Sequence, residues 1–294
     1  MDEAFAAGRS FIQRQARLLE QRIFSACFDG APGSGVVDAL RGYQNQDGGF
    51  GHGLEPDKRC PASLPIDVEV ALQAMVAAKV VDPSMVKRAG DFLGAAAEAA
   101  GAGGAVPLAL PVIEAYPRAQ HWSDWTYQPG LNPTAGLVGL LLRLGVEHPW
   151  VEQGAAYCWR RLDAGQLPED GHTLSEVLVF LENTRERERA DLAAEAVARK
   201  LPTASFFNPD PDFTEYGLTP LHLAPQGSSR WRRLFAEDNL QGHLDRLARD
   251  QQADGGWPIS WEPPSDAARL EWRGIETLRA LRTLSSYGRL ASVS

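Results

Sequence analysis

A seven-residue segment occurs twice, towards the two ends of the chain, and this duplication restricts the fold more than any other feature. Gln44-Asn45-Gln46-Asp47-Gly48-Gly49-Phe50 is matched 207 residues later by Gln251-Gln252-Ala253-Asp254-Gly255-Gly256-Trp257. The register continues without a gap, so that Leu40 falls on Leu247, Glu55-Pro56 on Glu262-Pro263 and Glu69 on Glu276. In both copies the segment leaves one helical stretch and leads through a loop into another. The paired glycines give the backbone freedom after a helix end. The Asp can bond nearby amides within the turn. The Gln can bridge to a following helix, and Phe50 or Trp257 can pack beneath. These are structural duties, so the motif reads as a fold element rather than a catalytic one.

The rest of the chain has helical periodicity and no set of alternating strands. Helices are expected over 2–28, 36–43, 66–80, 83–99, 134–144, 150–162, 173–182, 187–200, 234–249 and 270–287. Gln44–Leu64, Tyr116–Pro133 and Pro202–Pro225 are rich in turn residues and read as loops. The class is therefore all-α, with ten to twelve helices. A motif repeated at both ends of such a chain predicts helical hairpins arranged in a ring, an α/α toroid formed by a single domain over 1–294.

Gln-x-x-Asp-Gly-Gly-aromatic followed by an inner helix resembles the repeat of squalene–hopene cyclases and protein prenyltransferase β subunits. The resemblance rests on the two copies, about a fifth of the chain. It implies an α/α toroid of inner and outer helices around a central cavity, with an apolar or isoprenoid small molecule as ligand. The chemistry of that superfamily is only partly represented. Where prenyltransferases carry Asp-x-Cys of a zinc site, this chain has Asp67-Val68-Glu69. Its three cysteines, Cys27, Cys60 and Cys158, lack ligand spacing. Where class II cyclases carry Asp-x-Asp-Asp, Val70 replaces the last acid. The expectation is a metal-independent protein without a cofactor, in which Asp67 is either a remnant catalytic acid or a first-turn charge favoured by the helix dipole.

The loop Gly51–Arg59 gathers His52, Glu55, Asp57, Lys58 and Arg59 between the first repeat turn and the next helix. The second copy supplies Glu271 and Arg273. Glu55 or Asp57 opposite Glu271 would make an acid/base pair across a cavity, with the carboxyl separation deciding between retaining and inverting glycoside chemistry. The alternative is a set of ion pairs between loops. Trp122, Trp125, Trp257, Trp261 and Trp272 are candidate cavity walls, suited to carbocations, to sugar rings or to plain packing. His52, Arg59 and Arg273 are candidate ligand contacts. His121 and His222 read as packing histidines. Three function classes follow: an isoprenoid-binding or -transforming enzyme, a carbohydrate-active hydrolase or lyase, and a non-catalytic binding ring.

Composition narrows the partners. A net charge of -9 disfavours nucleic acid, which needs clustered Lys and Arg. No apolar run is long enough to span a bilayer. Met1-Asp2-Glu3 is not followed by the apolar stretch of a signal peptide. The expectation is a cytoplasmic protein with a small-molecule ligand.

Overall fold

The computed structural model describes residues 3–290, without the Asp124 side chain. Its elements are α1 (Glu3–Gln15), α2 (Leu18–Phe28), α3 (Ser34–Arg41), α4 (Pro65–Ala77), α5 (Pro83–Ala100), α6 (Leu131–Arg143), α7 (Pro149–Asp163), α8 (Gly171–Asn183), α9 (Arg187–Lys200), α10 (Pro220–Leu223), α11 (Glu237–Arg249) and α12 (Asp266–Ser286). Among the described residues the only β pairing is a handful of isolated bridges. No described helix is long and apolar enough to cross a membrane.

Burial separates the helices into two kinds. In α4 and α6 most positions are buried, on more than one face, as expected of helices packed on several sides. In α1, α5, α9 and α11 burial is confined to a stripe, and the opposite faces carry charge. Pairwise packing follows an order. Helix α2 touches α4, α4 touches α6, α6 touches α8 and α8 touches α10; α10 packs on α11, α11 on α12, and α12 on α2. Helices α1, α3, α7 and α9 flank this series, α1 against α2 and α12, α3 against α2 and α4, α7 against α6, and α9 against α8.

The stretch 2–28, expected as one helix, is two. The break falls at Arg17, whose backbone is extended. Its guanidinium donates to the Leu54 carbonyl (2.7 Å) and to the Glu20 carboxylate (2.7 and 2.9 Å). Local periodicity does not encode that long-range contact. The expected loop over 202–225 also contains the short helix α10.

Both copies of the repeated turn make the same bonds. Gln44 Nε2 donates to the Gly48 carbonyl and to the Met85 carbonyl at the start of α5 (both 2.9 Å). Gln251 Nε2 donates to the Gly255 carbonyl (2.9 Å) and to the Ala4 carbonyl at the start of α1 (2.8 Å). Asp47 Oδ1 accepts from the Gly49 amide and Asp254 Oδ1 from the Gly256 amide. The first turn, between α3 and α4, thus grips the helix that follows α4. The second, between α11 and α12, grips the first helix of the chain.

Gly48 and Gly255 are fixed by this arrangement. They have φ of 92° and 91°, and a Cβ on either would lie 2.3 Å from a backbone oxygen, that of Arg88 or Ala7. Gly101 has φ of 62° but open space around it. Gly101→Ala is expected to cost about 1–2 kcal/mol, the left-handed backbone alone. Gly48→Ala and Gly255→Ala should each cost about 3 kcal/mol or more, because backbone must also move. Urea unfolding of the three variants checks this; equal losses at all three would contradict the packing role of the turns.

Candidate functional site

A cavity of about 1430 Å³ opens among the loops that precede α4, α6, α8, α10 and α12. It is larger than the few hundred to a thousand Å³ of most small-ligand pockets. Of the residues singled out from the sequence, Glu55, Asp57, Trp122, Trp125, Trp257, Trp261 and Trp272 line it.

Asp57 is the best-placed acid. It is 3% exposed, and Trp272 Nε1 donates to its Oδ1 at 2.7 Å. His121 Nε2 stands 3.8 Å from its Oδ2. Burial, then the neighbouring Glu55 charge, pushes the carboxyl up to about 6, against the Trp272 bond that lowers it. Asp57 can therefore hold or release a proton near neutrality, facing a space large enough for a substrate.

The next residue points the other way. Lys58 is fully buried, with Nζ 3.1 Å from Glu55 and 3.0 Å from Asp67, and 5.2 Å from the centre of the Trp122 ring. Asp67 also accepts from the Glu55 amide at 2.7 Å. Asp67 lies outside the cavity lining as part of this buried ion cluster, so its place beside the resemblance motif does not give it access to a ligand.

Four further sequence candidates lie outside the lining. Arg59 and Glu271 pair with each other at 2.9 Å. The expected Glu55/Asp57–Glu271 pair across the cavity is therefore not formed, because Glu271 is turned to Arg59. Arg273 grips Asp254 of the second repeat turn at 2.8 Å and lies over Phe11. His52 bonds Asn45 Oδ1 at 2.8 Å. Arg59, Glu271 and Arg273 hold loops to α12, and His52 ties together two parts of the loop before α4.

Two carboxyls that sequence reasoning left out of the site meet in the lining. Glu69 on α4 and Glu176 on α8 share a side-chain hydrogen bond, which requires one of them to carry the proton. Burial, above all, raises both. Gln73 Nε2 donates to Glu69 at 2.8 Å and favours charge there. The Glu176 carboxylate tucks against Gly136 of α6, where a Cβ would collide with its Oε2. Glu276 on α12, the repeat equivalent of Glu69, also lines the cavity and accepts from Arg279 Nε at 2.9 Å. Tyr216 and His172 complete this wall, Tyr216 Oη lying 3.0 Å from His172 Nε2. Among the described residues no group of three or more His, Cys, Asp or Glu side chains is arranged to hold a metal ion.

Comparison of the chain with protein-family models, with curated proteins and with solved structures gave no match.

The protonated carboxyls have a thermodynamic signature. The folded protein keeps a proton on the Glu69–Glu176 pair that the unfolded chain releases near the ordinary Glu value of about 4.3. Stability contributed by these groups is therefore greatest at acid pH and is lost as pH rises. Glu69→Gln keeps the Gln73 contact and removes a titrating group. Its melting temperature should exceed that of the wild type by at least about 2 °C at pH 8, with the gap shrinking towards pH 4. A gap that widens on acidification, in calorimetry at both pH values, would contradict the shared-proton arrangement.

Proposed function

We propose that this chain is an α/α toroid whose central cavity hydrolyses a glycosidic linkage by carboxyl acid/base chemistry. The ring reading is supported by the packing series that returns from α12 to α2 and by repeat turns that each clasp an adjoining helix. The observation that carries the reaction is Asp57, a buried carboxyl held up at about 6 beside Trp272 in the cavity wall. A carboxyl of that kind is a proton donor to a leaving-group oxygen.

In hydrolysis Asp57 gives its proton to the glycosidic oxygen as the C–O bond breaks. The Glu69–Glu176 pair, which holds one negative charge between two carboxyls, takes a proton from the attacking water as its oxygen bonds the anomeric carbon. The lining supports a hydroxylated ligand, because Asp57, Glu69, Glu176, Glu276, His172 and Tyr216 place hydrogen-bonding groups on it among the aromatic rings.

The resemblance to terpenoid cyclases and prenyltransferases supports the ring more than the isoprenoid ligand. The aromatic walls suit either ligand. A diphosphate would need free cations at the cavity; Lys58, Arg59 and Arg273 lie outside its lining in ion pairs, and the lining's Arg279 and Arg246 are engaged with Glu276 and the Pro211 carbonyl. The cytoplasmic, metal-independent setting expected from the sequence is part of the proposal.

Reducing-end release from a panel of neutral oligosaccharides tests it. The wild type should turn over at least one, with a rate that declines above about pH 6 as Asp57 loses its proton. Asp57→Asn should lower kcat by about 10²–10⁴ while folding is unchanged. Wild-type activity retained in Asp57→Asn would overturn the assignment. Binding without turnover in both proteins would leave a non-catalytic ring.

A further inference from the structure

The cavity wall contains a run of aromatic rings that leads from the protein surface to Asp57. Phe206 is 54% exposed and Tyr216 41% exposed. Their centroids are 6.1 Å apart. Tyr216 meets Trp261 at 5.7 Å and 75°, and Trp261 meets Trp272 at 5.0 Å and 82°. Trp272 bonds Asp57. All four rings line the cavity. Phe206 and Tyr216 pack on each other and on His172 yet leave much of their rings in water, at the outer end of a series that finishes at a buried acid.

Phe206 adds a second observation. Its φ is 57°, a left-handed conformation that costs a residue other than Gly about 1–2 kcal/mol. The Leu218 amide bonds its carbonyl at 2.8 Å, and the Gly171 and Gly217 positions approach the same carbonyl so closely that a Cβ would crowd it. The backbone is thus held in a strained form that presents an apolar ring to water. Strain kept for an exposed side chain points to a ligand contact.

We infer that Phe206, Tyr216, Trp261 and Trp272 form a binding track for an oligosaccharide chain, with only its end unit reaching Asp57. The inference rests on the glycosidic reading above and names its substrate class: an oligomer rather than a disaccharide. The lining also specifies charge. It holds ten acidic residues against two arginines, and those arginines are engaged, Arg279 with Glu276 and Arg246 with the Pro211 carbonyl. The chain on the track is accordingly free of carboxylate or sulfate groups.

Calorimetric titration with neutral di- to hexasaccharides of the linkage that the wild type accepts reads the track directly, with Asp57→Asn introduced throughout, beside the wild-type Phe206 and its variants alike, so that each ligand is bound and not cleaved. Affinity should rise with chain length. Phe206→Ala should weaken hexasaccharide binding about two- to tenfold and leave the disaccharide unchanged, since one ring contact is removed. Phe206→Trp should restore it. Phe206→Gly guards against a folding artefact, because relief of the strained backbone keeps or raises the melting temperature while long-chain affinity is still lost. An oligogalacturonide of equal length should not bind. Wild-type affinity that is independent of length, or a Phe206→Ala loss equal for short and long ligands, overturns the track alone. Failure of the wild type to bind any saccharide overturns the glycosidic reading and the track with it.

Discussion

The Lys58 ammonium organises the site. A lysine with no exposed surface keeps its charge only if countercharges surround it, and Glu55 and Asp67 do so at 3.1 and 3.0 Å. Removing it would strand two buried carboxylates, at a cost of about 3–5 kcal/mol. The ion cluster pins the loop before α4 to the start of that helix. Its neighbours in sequence then have fixed directions: Asp57 faces the cavity, and Arg59 reaches Glu271 on α12. Three consecutive residues thereby join α4, the cavity and α12.

The acids that face the cavity are arranged at the expense of stability. Asp57 sits at about 6, and Glu69 and Glu176 share one proton against burial. Packed apolar side chains in those places would be more stable. A protein that keeps protonatable carboxyls around a large space, with indoles between them, has a lining suited to proton transfer on a hydroxylated ligand. The strained Phe206 follows the same pattern of local cost at a cavity-lining position.

Much of the architecture is legible in the sequence, and the reasons for the exceptions are physical. Helical periodicity reveals most helices, and the two Gln-x-x-Asp-Gly-Gly turns identify themselves by residue type. The break at Arg17 is invisible because it depends on the Leu54 carbonyl, thirty-seven residues away. On α12, Trp272 lines the cavity as expected, but Glu271 and Arg273 do not. Trp272, Glu276 and Arg279 are spaced four and three apart and share the cavity-facing side, while Glu271 and Arg273 flank it. The register Glu69–Glu276 was the better guide, since both line the cavity. Glu176 had one signal, an acid inside the apolar run Leu174–Leu181, but its pairing with Glu69 arises only when α4 and α8 converge beside α6. Trp122, Trp125, Trp257 and Trp261 are legible as a group because they lie in the turn-rich segments before α6 and α12, whereas Trp272 stands on α12 itself.

The central claim is that Asp57 holds its proton near neutrality while facing the cavity. Carbon-detected NMR of the side-chain carboxyls, with Asp57→Asn to assign the resonance, measures this without a substrate. The account predicts an Asp57 carboxyl that titrates at about 6. An Asp57 resonance titrating near the ordinary Asp value of about 3.9 would contradict it.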